Sequence, residues 1–293
     1  MTVQPPIATP PVILSIQSSV AYGHVGNSAA TFPLMRMGVE VWPVLTVHFS
    51  NHTGYPGWRG PLLAASDVAE VVRGISERGV LGQVTAVLSG YQGDPEVGKV
   101  ILDTVAEVRR HNPAAIYCCD PVMGDVGRGF YVQAGIPALM RNQVVPAAQL
   151  ITPNQFELEA LTGRPAGTRA ELLVAADAAR ELGPDTVLVT SVVLADADPE
   201  MMAMIAVDGR GAWLAATPRL GQTFTGAGDL TAAVFLAHLL RTDDVPTALA
   251  STAAAVFGVL RVTVESGRSE LALVQAQEEL VSPSRRFAVS RLR

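Results

Sequence analysis

Short apolar runs that end on a polar residue alternate with stretches of helical spacing along most of this chain. The apolar runs are "VILSIQS" (12–18), "VEVWPVLTVHF" (39–49), "VTAVLSG" (84–90), "AIYCCD" (115–120), "AQLITP" (148–153) and "TVLVTS" (186–191). Runs this short, bounded by turn signals, read as buried strands. Between them, residues 26–37, 67–78, 95–111, 132–142, 154–162 and 168–182 read as helices. Residues 201–217, with "DGRG" at 208–211, read as a hairpin, and three more helices are expected at 228–241, 245–260 and 270–281. Repeated βα units of this kind predict an α/β fold with a mostly parallel central sheet and helices on both faces.

No internal repeat and no Gly/Ser-rich linker divides the chain. The expected organisation is a flexible tail at 1–10, one domain at 11–281 and a C-terminal tail at 282–293. Hydrophobic residues make up 49% of 293, enough for a large core. A net charge of −6 argues against sequence-independent nucleic-acid binding, which needs a basic surface. No Lys or Arg precedes Arg36, so the charged start of a signal peptide is missing. The run 245–264 is interrupted by Pro246, Gly258 and Arg261 and reads as a buried helix rather than a membrane span. Cys118 and Cys119 are adjacent and fit no zinc spacing, which suits buried thiols of a reducing compartment. A soluble cytoplasmic protein is expected.

In open α/β sheets ligands bind beyond the carboxyl ends of the strands. Ser18, Ser89, Asp120, Thr152 and Ser191 all fall at such ends, although Ser, Thr and Asp also favour strand-to-helix turns for their own sake.

The chemistry concentrates in a few segments. "TFTGAGD" (223–229) places glycines before an apolar helix, so the amides of Gly226, Ala227 and Gly228 can converge on an anion. Asp229 there is either a simple first-turn acid or a base beside someone else's phosphate. "CDPVMGD" (119–125) carries Asp120 and Asp125; carboxylates at strand ends suit Mg²⁺. In "TPNQFE" (152–157) Glu157 fits a metal role and also a capping box with Asn154. "HFSNHTGYPGWRG" (48–60) has no apolar period but carries Phe49, Tyr55 and Trp58 among glycines, which suits a lid over a flat ring.

"GDPEVGKV" (93–100) imitates a P-loop. Val100 replaces the hydroxyl that would hold Mg²⁺, Asp94 and Glu96 would repel phosphates, and the segment reads as a helix start. Lys99, the chain's one lysine, therefore reads as a solvated side chain.

Taken together, "SIQSSVAYGHVGNSAATFPL" (15–34), "FSNHTGY" (49–55), "LSGY" (88–91), "CDPVMGD", "ITPNQFE" (151–157), "VTS" (189–191) and "GAGD" (226–229) resemble, in this order, the ribokinase superfamily and within it the pyridoxal kinases. The resemblance covers roughly 11 to 265, and "FSNHTGY" with "CDPVMGD" is its most specific part. It implies a ribokinase-like fold. It also implies ATP-dependent phosphorylation of the 5′-hydroxymethyl of pyridoxal, a phosphotransfer to an alcohol acceptor, with pyridoxine and pyridoxamine as further vitamers. By motif position Asp229 is the implied base and 226–228 the anion hole. Ser18, Val25, Phe49, Thr53, Tyr91 and Asp229 are implied at the vitamer. Asp120, Asp125, Thr152, Asn154, Glu157, Thr190, Ser191, Thr225, Gly226 and Gly228 are implied at ATP, with Asp120 and Glu157 at the metal. Mg²⁺, often with a potassium ion, and a homodimer complete what the family implies.

The chain departs from the family at Ala227, inside the glycine pair. Two more departures are Thr225, where an apolar residue is common, and Thr190, where some bacterial members have lysine. Two other readings compete: a relative phosphorylating another hydroxymethyl group, such as that of a hydroxymethylpyrimidine, and a non-catalytic vitamer-binding homologue.

Overall fold

The computed structural model describes residues 10–293. The tail expected at 1–10 lies outside the described residues except for its last position. The chain runs β1 (Val12–Val20), α1 (Asn27–Arg36), β2 (Glu40–Phe49), α2 (Ala65–Ser76), β3 (Val84–Ser89), α3 (Pro95–His111) and β4 (Ile116–Cys119). A small ribbon, β5 (Gly124–Asp125) and β6 (Gly129–Phe130), precedes α4 (Ile136–Leu139), α5 (Val145–Ala147) and β7 (Leu150–Ile151). Then come α6 (Gln155–Thr162), α7 (Arg169–Glu181), β8 (Thr186–Val192), β9 (Met201–Asp208), β10 (Gly211–Pro218), α8 (Ala227–Thr242), α9 (Val245–Glu265) and β11 (Val289–Arg291).

Nine strands form one sheet in the order β11-β10-β9-β8-β7-β4-β3-β1-β2. From β2 to β8 every pairing is parallel; β9, β10 and β11 add antiparallel. The mostly parallel sheet expected from the βα alternation is the one observed.

Side-chain alternation along the strands builds a core on each face. Val12, Leu14 and Ile16 of β1 join α2, α3, α6 and α7 on one face, and Ile13 joins α1, α8 and α9 on the other. The adjacent cysteines obey the same rule. Cys119 faces the first core and Cys118 the second, both as buried free thiols. Helix α9 is long and apolar enough to cross a membrane, yet Leu249, Ala253, Val256 and Val259 are buried in the second core.

Local signals fix the helix starts. Asp94 caps α3 by accepting from the Glu96 amide, with Pro95 in the first turn. Asn154 and Thr168 open α6 and α7 with full capping boxes.

The boundaries differ from expectation in three places. The helix expected at 132–142 starts only after Gly135, whose φ of 97° caps it, and passes through a π-helical turn at Met140–Val144. Residues 270–281 form successive turns instead of a helix. Leu271 and Leu273 are both buried there, and positions two apart do not share a helix face. The closing residues, read as a tail, bring Val289–Arg291 onto the edge of the sheet beside β10.

Candidate active site

Strand register places the acids. Cys119 pairs with Ile151 across β4 and β7, so the residues just past these strands, Asp120 and Thr152, emerge side by side. The Thr152 hydroxyl donates to Asp120 Oδ1 at 2.9 Å. Next door, the Thr190 amide donates to the Pro153 carbonyl at 2.9 Å, tying the end of β8 to the start of α6. Ser191 follows with φ 53°, a left-handed conformation uncommon for a residue with a side chain.

Glu157 answers the question left open by its motif, because it performs the cap. Its Oε2 accepts from the Asn154 amide at 2.9 Å while Asn154 Oδ1 accepts from the Glu157 amide at 2.9 Å. Its other oxygen accepts from the Met123 amide at 2.9 Å and more weakly from Gly124 at 3.4 Å. Asn154 Nδ2 donates to the Gly124 carbonyl at 2.8 Å. "CDPVMGD" and "TPNQFE" are thereby knitted into one floor.

Helix α8 points its N-terminus at this floor. Gly226 caps it with φ 86°, and a Cβ there would lie 1.8 Å from the His24 carbonyl oxygen, so only glycine fits. The loop after β1 thus packs directly against the "GAGD" turn. Gly228, by contrast, has open space where a Cβ would be.

Asp229 sits half-buried in the first turn of α8. Burial raises its carboxyl to about 6, with the Gly26 amide pulling the other way. Burial likewise lifts Glu157 to about 7 against its three amide donors. Asp120 lies well above the usual carboxylate range, through burial first and then the neighbouring charges of Glu157 and Asp229. A buried acid cluster of this kind, short of cations, is the environment a divalent ion and its phosphates relieve.

The opposite end of the pocket is apolar. Val20 and Phe49 are buried at the ends of β1 and β2, and Val25 and Tyr91 pack against them. Phe49 stacks on Trp58 with ring centroids 4.3 Å apart. The loop following β2 brings His52, Thr53 and Gly54 over this end.

One cavity of about 220 Å³ joins both ends. Ser18, Val25, Phe49, Thr53 and Tyr91 line it at the apolar end; Asp120, Asp125, Thr152, Asn154 and Glu157 line the floor. Thr190, Ser191, Thr225 and the run Gly226, Ala227, Gly228, Asp229 complete the wall. Every site residue expected from the motifs therefore reaches the same space.

Ser89 does not. Its hydroxyl shares a 2.8 Å hydrogen bond with buried Tyr117, so one of the five polar strand ends is an internal tie. Lys99 stands away from the cavity, paired with Glu96 at 2.6 Å on an exposed face of α3.

Val20, Val47, Val122, Arg128, Tyr131, Thr223 and Phe224 also line the cavity, without standing out in the sequence. Arg128 and Tyr131 arrive on the β5–β6 ribbon, with the guanidinium 5.1 Å from the Tyr131 ring centre. Two-residue strands leave no periodicity to read; the glycines at 124, 127 and 129 were the available signal.

The comparisons with known proteins agree with this geometry. The phosphomethylpyrimidine kinase family model matches residues 83–273. Pyridoxal kinase PdxY of Rubrobacter xylanophilus is 59% identical over 281 residues, covering 96% of this chain and 97% of that protein. Pyridoxal kinase PdxY of Leifsonia xyli subsp. xyli is 56% identical over 280 residues, covering 96% and 99%. The chain belongs to the pyridoxal kinase family. Among solved structures, pyridoxal kinase from Leishmania donovani in complex with ADP and pyridoxine superposes with a TM-score of 0.90 at 29% identity, covering 96% of this chain and 99% of that one. The ribokinase-like fold expected from the motifs is thus the one these pyridoxal kinases share. The family model's description overlaps the hydroxymethylpyrimidine alternative; the full-length relatives side with pyridoxal kinase.

Proposed function

We propose that this protein transfers the γ-phosphoryl group of ATP to the 5′-hydroxymethyl of pyridoxal, yielding pyridoxal 5′-phosphate and ADP. The observation that carries the reading is the place of Asp229, at the seam between the apolar end and the amides of Gly226–Gly228. With a carboxyl near 6, Asp229 is mostly ionised at neutral pH. It accepts the hydroxyl proton as the oxygen attacks phosphorus, within the pKa range suited to a general base. The first amides of α8 face the phosphate oxygens and stabilise their charge. Phe49, Val20 and Val25 bury the pyridine ring, and Ser18, Thr53 and Tyr91 supply polar contacts at its edge.

The nucleoside belongs in the apolar groove next door. That groove is lined by Met202, Met204, Pro218, Phe257 and Leu260 and shares Thr190, Ser191, Phe224 and Ala227 with the main cavity. Mg²⁺ suits the floor. Asp120, which accepts a hydrogen bond on Oδ1 alone among the described residues, would hold the ion, with Glu157 beside it. When bound, the ion neutralises charge on the phosphates. A dependence on potassium, a homodimer and a cytoplasmic location belong to the same reading; the free, buried cysteines support the last.

A coupled ADP-release assay over pyridoxal, pyridoxine, pyridoxamine and a hydroxymethylpyrimidine tests this. Pyridoxal turnover at the highest kcat/KM is expected. A preference for the pyrimidine makes the protein the other kinase, and no ADP with any acceptor makes it a binding homologue.

A further inference from the structure

Glu270 lies outside every motif above, on the turn segment that follows α9. Its side chain is almost fully buried. One oxygen accepts from the Tyr55 hydroxyl at 2.7 Å and from His52 Nε2 at 3.1 Å; the other accepts from the His24 amide at 3.2 Å. A single carboxylate thus grips the aromatic loop after β2 and the glycine loop after β1.

His52 Nδ1 accepts from the Gly54 amide at 3.1 Å, so Nε2 carries the hydrogen that the ring donates to Glu270. Among the described residues no Lys or Arg forms an ion pair with Glu270. A buried carboxylate without a cation is costly unless hydrogen bonds offset it, and an aliphatic side chain would bridge the loops without that cost. What the carboxylate adds is direction. It fixes the His52 ring, which lines the cavity, and the Tyr55 ring 4.6 Å from it.

The grip reaches the chemistry as well. Gly23, at φ 92°, has Glu270 Oε2 2.3 Å from where a Cβ would stand, so the loop is pressed onto the carboxylate. The next residue, His24, presents its carbonyl to Gly226. Glu270 itself stands on a firm base, since Leu271 is buried against Gly226 and the Ala272 amide donates to buried Thr263 at 2.9 Å.

We propose that Glu270 is a positioning residue that holds the loop carrying His52 and Tyr55, and the loop carrying His24, closed over the hydroxymethyl substrate in register with the phosphate-binding turn. The proposal rests on the reading that the apolar end takes that substrate.

Steady-state kinetics on the full chain test it, with E270A, E270Q, Y55F and the E270A/Y55F double variant. E270A is expected to raise the KM for the hydroxymethyl substrate about tenfold or more while the KM for ATP stays within about twofold. Y55F, which deletes one oxygen, is expected to raise it about threefold alone and to add little in the E270A background, because both act on one contact. If E270A fails to fold, E270Q and Y55F decide. Unchanged acceptor KM in the folded variants, with only a lower melting temperature, overturns the proposal, and so does equal weakening of both substrates. The split is read on whichever acceptor the wild-type enzyme phosphorylates, so a failure of pyridoxal as substrate strikes the functional reading and leaves this test intact.

Discussion

The floor of the cavity and its roof are built by opposite means. Asp120, Thr152 and Glu157 are all but sealed from solvent, at 4%, 2% and 3% exposure, and hang on adjacent strand ends and backbone amides. The roof is a stretch between β2 and α2 in which Thr53 and Gly54 are exposed and Trp58 is 46% exposed. Sheet register dictates where the floor's carboxylates stand, so their mutual repulsion and desolvation are locked in. The roof owes its shape to side chains that hold one another, Phe49 on Trp58 and His52 beside Tyr55. Phosphoryl transfer needs fixed charge; choosing a ring needs a surface that adapts. In the proposed reading each task falls to the construction that suits it.

The sharpest way to break that comparison is Asp229→Asn. Shape is kept and the proton acceptor is lost, so kcat is expected to fall about 10²–10⁴-fold with much smaller change in the calorimetric affinity for pyridoxal. Near-normal kcat would reduce Asp229 to a first-turn acid of α8 and leave the cavity without a base.

A second test uses the strain of the floor. Glu157 lies near 7 in the fold against an ordinary 4.5, and Asp229 near 6 against 3.8. The folded protein therefore binds more protons than the unfolded chain across this interval. Stability from these groups is fully present below about pH 4 and is lost as pH rises to about 7, by on the order of 1–3 kcal/mol for buried Glu157. Melting temperature without ligand is expected to fall over that window, and Mg²⁺ with ATP to flatten the slope. A rise in melting temperature over the same interval would mean that the acids are compensated within the protein.

Much of this was legible beforehand because local and global signals coincide. Asp120, Thr152 and Ser191 terminate apolar runs, and Asn154 with Glu157 spells a capping box. Long-range facts were not legible. In the sequence the glycines of "GAGD" form one anion-binding turn, with nothing to tell Gly226 from Gly228. Only the approach of the His24 carbonyl shows that Gly226 carries the constraint and Gly228 faces open space. Glu270 went unread for the same reason, since its partners lie more than 200 positions away. The turns at 270–281 looked helical because their apolar spacing is ambiguous until the core claims both Leu271 and Leu273.

The roof yields to a gentler change. Thr53→Ala removes one exposed hydroxyl from the loop over the apolar end. Calorimetric titration is expected to show pyridoxal binding weakened about three- to tenfold and ATP binding unaltered. Equal weakening of both ligands would mean that roof and floor are not separable.

The smallest effect is expected where a phosphate-binding lysine would stand if "GDPEVGKV" were a P-loop. Such an enzyme sets its lysine against the β- and γ-phosphates, and this chain has only Lys99 to offer. Here Asp94 is the cap of α3, Val97 and Ile101 are buried in the first core, and Val100 packs against it. Lys99 projects into solvent and meets Glu96 three residues earlier. An exposed pair of this kind contributes little. Lys99→Ala should leave turnover near normal and shift stability by no more than about 0.5 kcal/mol in urea unfolding. Loss of most activity would move the phosphate site to α3 and remove Gly226–Asp229 from the reaction, because no second lysine exists to stand in. The near-silence of this substitution, set beside the damage from Asp229→Asn, is what separates a site made of helix amides and strand-end acids from one made of a single mobile cation.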